Sequence, residues 1–219
     1  MKFFVDSCDL EQIKYWINCG VAKGITTNPI IIKKQAINTD IMTYLGEIVH
    51  FADKLPVSIQ VTEKESEKII QQAKTLSKIR ENVVIKVPIL NEKGESLLPV
   101  IKQLSTEGCK INVTACMSAL QATMAADAGA RYVSLLYARV NDNGGEGLKH
   151  IKLIRQYLEQ NALNCELIIG SIREVNHLLE MLSAFPHIVT VSPEVLKKAV
   201  FNSLTQKTVI EFYEAANNK

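Results

Sequence analysis

No run of about 18 apolar residues unbroken by charge occurs in this sequence of 219 residues, so no segment is built to cross a bilayer as a helix. The amino terminus, Met1-Lys2-Phe3-Phe4-Val5, meets Asp6 before an apolar signal core can form. Neither sign of charge dominates: 25 lysines and arginines nearly cancel 23 aspartates and glutamates, for a formal net charge of +2. Nucleic-acid binders carry a basic stripe and a strongly positive domain, so no nucleic-acid partner is expected. The five cysteines (Cys8, Cys19, Cys109, Cys116 and Cys165) are scattered and form no Cys-x-x-Cys pair. That usage fits thiols in a reducing compartment rather than a disulfide framework or a zinc site. His50, His150, His177 and His187 show no metal-ligand spacing. A Gly-x-Ser-x-Gly elbow, a P-loop and a dinucleotide glycine fingerprint are all missing. The expectation is a soluble, cytoplasmic protein that needs no metal and no cofactor.

What is present is alternation. With 47% hydrophobic residues the chain can bury a sizeable core. Short β-branched runs recur at Phe3–Val5, Gly24–Thr26, Val57–Val61, Val83–Val87, Lys110–Thr114, Tyr132–Leu136, Glu166–Ile169 and Ile188–Val191. Each is followed by a segment of helical periodicity, such as Leu97, Ile101 and Leu104 after the fourth run. Asp9 and Asn28 are placed to cap helices, and Pro29 to open one. Such strand–helix units predict parallel strands joined by right-handed crossovers. Their number predicts a closed (β/α)8 TIM barrel, an α/β fold, over residues 1–219 as a single domain with an extra C-terminal helix; an open doubly wound sheet is the rival. The stretch Asn141-Asp142-Asn143-Gly144-Gly145-Glu146-Gly147 is the strongest loop signal.

In a barrel of this kind the site lies where strands end. Asp6 ends the first run, Thr26, Thr27 and Asn28 the second, and Gln60 the third. Asn112 and Thr114 alternate on the fifth and so share a face. Ser134 lies in the sixth with Arg139 beyond it, and Ser171 and Arg173 finish the seventh. Each alone is equally a helix cap, a turn former or an outward strand position. Together they mark one end of the strands.

Lys86 is the sharper signal, because it interrupts Val83-Val84-Ile85-Lys86-Val87-Pro88-Ile89, the most apolar run of the chain. A lysine in a buried strand is driven toward its neutral form, and a neutral amine is the nucleophile of Schiff-base chemistry. The other reading is an edge-strand lysine, or one whose stem snorkels to water.

These residues resemble a known family, the small class I transaldolases and their fructose-6-phosphate aldolase relatives. The resemblance runs nearly end to end. It is carried by Phe4-Val5-Asp6-Ser7, Gly24-Ile25-Thr26-Thr27-Asn28-Pro29, Val84-Ile85-Lys86-Val87-Pro88, Asn112-Val113-Thr114, Tyr132-Val133-Ser134, Arg139 and Ser171-Ile172-Arg173. It implies a (β/α)8 barrel in which Lys86 forms a Schiff base with a ketose phosphate. Asp6 would be the acid/base of carbon–carbon cleavage, and Thr26 and Ser134 would be among the substrate-binding residues. Asn28 and Asn112 would hold hydroxyls of the dihydroxyacetone portion, and Thr114 with Gln60 a catalytic water. Arg139, Arg173 and Ser171 would hold the phosphate, which guanidinium forks suit. Transfer of the dihydroxyacetone unit to an aldose phosphate, within the pentose phosphate pathway, is the implied activity.

Two positions pull apart. Gln60 stands where transaldolases of the family carry glutamate and resembles the aldolases, which release dihydroxyacetone and glyceraldehyde 3-phosphate. Leu136 stands where the family has an aromatic residue, and strand alternation turns Tyr137 to the opposite face. A non-catalytic sugar-phosphate binding protein is the alternative from another class. The resemblance also implies a homo-oligomer, a pentamer or decamer. Phe201, Leu204, Val209, Ile210, Phe212 and Tyr213 supply an apolar face, equally consistent with packing inside the chain.

Overall fold

A computed structural model describes residues 1–35 and 40–217. Eight parallel strands close into a barrel in sequence order. They are β1 (Lys2–Asp6), β2 (Ala22–Thr26), β3 (Val57–Gln60), β4 (Val83–Pro88), β5 (Ile111–Cys116), β6 (Tyr132–Leu136), β7 (Glu166–Ile172) and β8 (Ile188–Val191). Closure is direct, with Phe4 of β1 paired to Thr190 of β8. Eleven helices lie among the described residues. Seven of the connections run through α1 (Leu10–Asn18), α2 (Pro29–Lys34) with α3 (Ile41–Phe51), α4 (Ser66–Ser77), α5 (Leu98–Thr106), α6 (Ala119–Asp127), α7 (Tyr137–Asp142) with α8 (Gly147–Gln160), and α9 (Val175–Ala184). The chain ends with α10 (Pro193–Val200) and α11 (Ser203–Asn217).

The two-residue period of a strand divides every strand's side chains between two environments. One set, including Val5, Ile25, Val57, Ile59, Ile85, Val87, Val113, Leu135, Leu167 and Val189, packs outward against the helices in the main core. The other set points into the barrel. Its lower layer is apolar: Phe4, Val84, Tyr132, Ile168 and Ile188 form a separate plug. Gly24 completes that layer by yielding space, since a Cβ there would lie 2.5 Å from the Phe4 ring. Two residues further along the same strands stand Asp6, Thr26, Lys86, Ser134, Gly170 and Thr190, which line a cavity at the strands' carboxyl ends. The barrel is therefore closed at one end by hydrocarbon and lined at the other by polar groups.

Local signals account for the helix ends. Asp9 accepts from the backbone N–H groups of Glu11 and Gln12, and Asn28 from those of Ile30 and Ile31. Pro29 occupies the first turn of α2, where its missing N–H costs nothing.

Some boundaries differ from the sequence expectation. The loop expected over Asn141–Gly147 begins only at Asn143, because Asn141 and Asp142 finish α7 and Gly147 opens α8. Gly147 is glycine for packing: a Cβ would meet the Tyr137 ring at 2.5 Å. Strand β7 runs past Ile169 to Ile172, so Ser171 stands at its end and Arg173 just beyond it. Ser171 (φ 60°) and Ala115 (φ 60°) have left-handed backbone, and the pairing register shifts beside each. Such conformations cost of order 1–3 kcal/mol each and gather at ligand sites. Both line the same cavity.

Helix α11 stands apart. Every residue from Phe201 to Asn217 is exposed, so none of its apolar side chains is buried among the described residues. Packing inside the chain, one of the two expected roles for that face, is not what the structure contains.

Candidate active site

The cavity at the carboxyl ends of the strands encloses about 450 Å³. Lys86 projects into it from β4, flanked in register by Gln60 of β3 and Asn112 of β5. A closed barrel has no edge strand, and the side chain does not snorkel out: Lys86 is 8% exposed and lines the cavity. Its Nζ donates to the Thr27 carbonyl at 3.1 Å. Burial pushes the amine below the ordinary lysine range, and the Asp6 carboxylate offsets only part of that shift. Asp6 closes β1 on the same inner face. Burial raises its carboxyl above the usual aspartate range, against the opposing pull of Lys86 and of a hydrogen bond from Thr26. Thr26 Oγ1 donates to Asp6 Oδ1 at 2.6 Å. The pair thus combines an amine that loses its proton easily with a carboxyl that keeps one easily.

Other expected residues take distinct places. Asn28 lines the cavity, and its Oδ1 is held by two backbone N–H groups at 3.0 Å, which leaves its amide NH2 uncommitted among the described residues. Gln60 and Thr114 line the wall on either side of the Lys86 strand. Ser134 also lines it but donates to Asn112 Oδ1 at 2.7 Å. Asn112 is completely buried, does not reach the cavity surface, and donates to Ser58 Oγ at 3.1 Å. It ties β3, β5 and β6 together beneath the floor.

Ser171 and Arg139 both face the cavity. Arg139 is also part of the wall of a second cavity of about 510 Å³, where Arg173 and His150 lie. Arg173 is not on the central cavity. It is half-exposed and paired with Asp142 at 2.6 Å. The three residues expected to act as one anion site are therefore divided between two adjoining chambers that share Arg139.

Leu136 lines the cavity opposite Gly170, where a Cβ would approach Leu136 Cδ2 to 3.3 Å. Tyr137 points the other way, not by strand alternation but because it opens α7 where β6 has ended. Its hydroxyl donates to Glu180 Oε2 at 2.7 Å, and its ring stands edge-on to His177. The phenol does not stand in for an aromatic residue at position 136.

The family model for transaldolase/fructose-6-phosphate aldolase matches residues 3–219. The chain belongs to this family. A probable transaldolase of Methanococcus maripaludis is 36% identical over 222 residues, covering 100% of both chains. A probable transaldolase of Clostridium botulinum is 36% identical, covering 99% of this chain and 98% of that one. One from Lactiplantibacillus plantarum is 36% identical, covering 97% of this chain and 94% of its own. The chain is thus an enzyme of the transaldolase/aldolase type. Among solved structures, mandelate oxidase with (S)-2-phenylpropionate superimposes with a TM-score of 0.61 at 12% identity. It covers 88% of this chain and 64% of that one. That likeness concerns the barrel alone.

Sequence reasoning missed Thr190, which lines the cavity from β8 with its Oγ1 2.5 Å from Thr26 Oγ1. The available signal was parity: Thr190 follows Ile188 by two residues, as Asp6 follows Phe4 and Thr26 follows Gly24. Ser58 and Gly170 obey the same rule.

The lowered amine gives a prediction that needs no substrate. In competitive acetylation read by mass spectrometry, Lys86 should react with a midpoint well below that of the exposed lysines. Asp6→Asn, which removes the negative charge that holds the proton on, should move the midpoint lower still. A midpoint in the ordinary lysine range, or one raised by Asp6→Asn, would contradict this electrostatic account.

Proposed function

We propose that this enzyme is a Schiff-base transaldolase that transfers a dihydroxyacetone unit from a ketose phosphate to an aldose phosphate. The observation that carries the reading is a buried, easily deprotonated Lys86 amine facing Asp6 inside a closed barrel. The neutral amine attacks the C2 carbonyl, and loss of water leaves an iminium. Asp6 takes the proton of the C4 hydroxyl, the C3–C4 bond breaks into the iminium, and an aldose phosphate departs. The enamine left on Lys86 then attacks the aldehyde carbon of the acceptor, while Asp6 returns its proton to the new alkoxide. Hydrolysis of the second iminium frees the product ketose. Gln60 and Thr114 are positioned to hold the water of that step, and Asn28 with Thr26 the hydroxyls near C1 and C3. Asn112 acts from beneath by orienting Ser134. Arg139 and Ser171 take the phosphate from inside the cavity, and Arg173 joins them from the neighbouring chamber when Asp142 releases it. The names of the relatives support transfer.

Gln60 favours a second reading, in which the enamine is protonated and hydrolysed to free dihydroxyacetone. An amide hydrogen-bonds the water but does not take its proton.

The reading extends to a cytoplasmic enzyme of carbohydrate metabolism that works as a homo-oligomer, a pentamer or decamer. Supporting this, Leu204, Phe212 and Tyr213 of α11 are 73%, 69% and 68% exposed, with Phe201 at 66% beside them. So much exposed apolar area on one helix is unusual on a monomer, and a second copy offers it cover.

Two measurements test these statements. With fructose 6-phosphate as donor, transfer to erythrose 4-phosphate should exceed release of free dihydroxyacetone. Lys86→Ala should abolish both, and Asp6→Asn should slow both by about 10²–10⁴-fold. Release without acceptor-dependent product would give the aldolase reading, and activity that survives Lys86→Ala would overturn either one. Light scattering should give a mass several times that of one chain, reduced by Phe212→Ser with Leu204→Ser; a monomer would contradict the assembly.

A further inference from the structure

We propose that Thr190 is a positioning residue for Asp6, acting through Thr26 to hold the carboxyl in its ionised, proton-accepting form. The inference rests on the reading of Asp6 as the group that takes the substrate's hydroxyl proton.

Thr190, Asp6 and Thr26 stand side by side on the inner face of β8, β1 and β2. Thr26 Oγ1 lies 2.6 Å from Asp6 Oδ1 and 2.5 Å from Thr190 Oγ1. A hydroxyl has one proton to give. Thr26 gives its proton to the carboxylate, so the short contact with Thr190 requires Thr190 to be the donor there. The direction of the chain follows: Thr190 to Thr26 to Asp6. Each donor in such a chain polarises the next, so the terminal hydroxyl strengthens the bond that reaches the carboxylate. Both threonines are buried, at 1% and 6% exposure.

The chain answers a specific electrostatic problem. Burial favours the protonated form of Asp6, which cannot accept a proton. The other charged groups on the cavity wall are Lys86 from β4 and Arg139 from α7; the remaining wall residues, including Thr26 of β2 and Thr190 of β8, carry no charge. Lys86 must itself be neutral when it attacks the carbonyl, so its charge supports the Asp6 carboxylate only before that step and again once the iminium has formed. The two hydroxyls continue to support the carboxylate, because neither changes its charge during the reaction.

The test is the pH dependence of kcat/KM for fructose 6-phosphate. In Thr190→Val, a nearly isosteric change, the acidic limb should move to higher pH, and activity on that limb should fall about two- to tenfold, the scale of one buried hydrogen bond. On the plateau, where Asp6 is ionised in both proteins, activity should fall less than on the limb. Thr190→Ser should restore the wild-type limb, and Thr26→Val should move it further in the same direction as Thr190→Val. Should valine prevent folding, Thr190→Ala carries the same expectation. An unmoved or lowered limb would overturn the inference, and so would a KM raised at every pH, which would make Thr190 a substrate contact. Wild-type inactivity on every ketose phosphate would instead overturn the proposed function, whereas wild-type turnover with an unshifted Thr190→Val limb removes only this inference.

Discussion

A lysine held with its amine inside a closed barrel cannot keep its positive charge cheaply, and the site of this protein is organised around that constraint. Lys86 is surrounded by strands on every side, and its stem is packed by the two-residue pattern that keeps Ile85 and Val87 among the helices. One carbonyl, that of Thr27, accepts from the amine, and one carboxyl, that of Asp6, faces it. Each group is destabilised in its charged form by burial and partly rescued by the other. The result is a pair that exchanges protons nearer neutrality than either would alone in water.

The barrel supplies the rigidity this pair needs. The hydrocarbon plug of Phe4, Val84, Tyr132, Ile168 and Ile188 closes the lower end, and Gly24 lets the Phe4 ring fill it. Phe4 and Asp6 are two residues apart on β1, as Val84 and Lys86 are on β4. The same strands that pack the plug therefore fix the reactive groups one layer above it. Sites on strands of a packed scaffold hold their geometry better than sites on loops. Within the barrel, left-handed backbone occurs at the rim, where Ala115 and Ser171 adopt it beside the cavity. Electrostatics change along the wall as well. Neutral amides and hydroxyls from Asn28, Gln60, Thr26 and Thr114 line one part of it, while Arg139 brings a guanidinium to another; in the proposed reading the first holds the dihydroxyacetone end and the second the phosphate.

Much of this was legible in the sequence because strands of a parallel barrel are nearly all apolar, so any polar residue inside one stands out. Lys86 did so most clearly, and all eight strands were found by the same contrast. Parity also set Leu136 on the cavity wall, whereas Tyr137 turns away as the first residue of α7 rather than by strand alternation. What stayed hidden depends on distances that no linear pattern encodes. The pairing of Arg173 with Asp142 joins residues on β7's following loop and on α7, and it removes Arg173 from the central cavity. Asn112 carries the same inward parity as Thr114 but sits one layer lower, where Ser58 and Ser134 satisfy it. Thr190 was concealed by ordinary composition, because threonine is at home in any strand. The outward apolar face of α11 was visible as periodicity, yet only the structure distinguished an unpartnered helix from one packed on its own barrel.

The central claim is that Lys86 becomes covalently attached to the carbonyl carbon of a sugar phosphate. It is tested most directly by borohydride reduction in the presence of fructose 6-phosphate, followed by peptide mass spectrometry. The account predicts a reduced dihydroxyacetone or ketose phosphate adduct on Lys86 alone, absent when the sugar is omitted. An unmodified Lys86 beside a turning-over enzyme, or an adduct on another lysine that persists in Lys86→Ala, would contradict it.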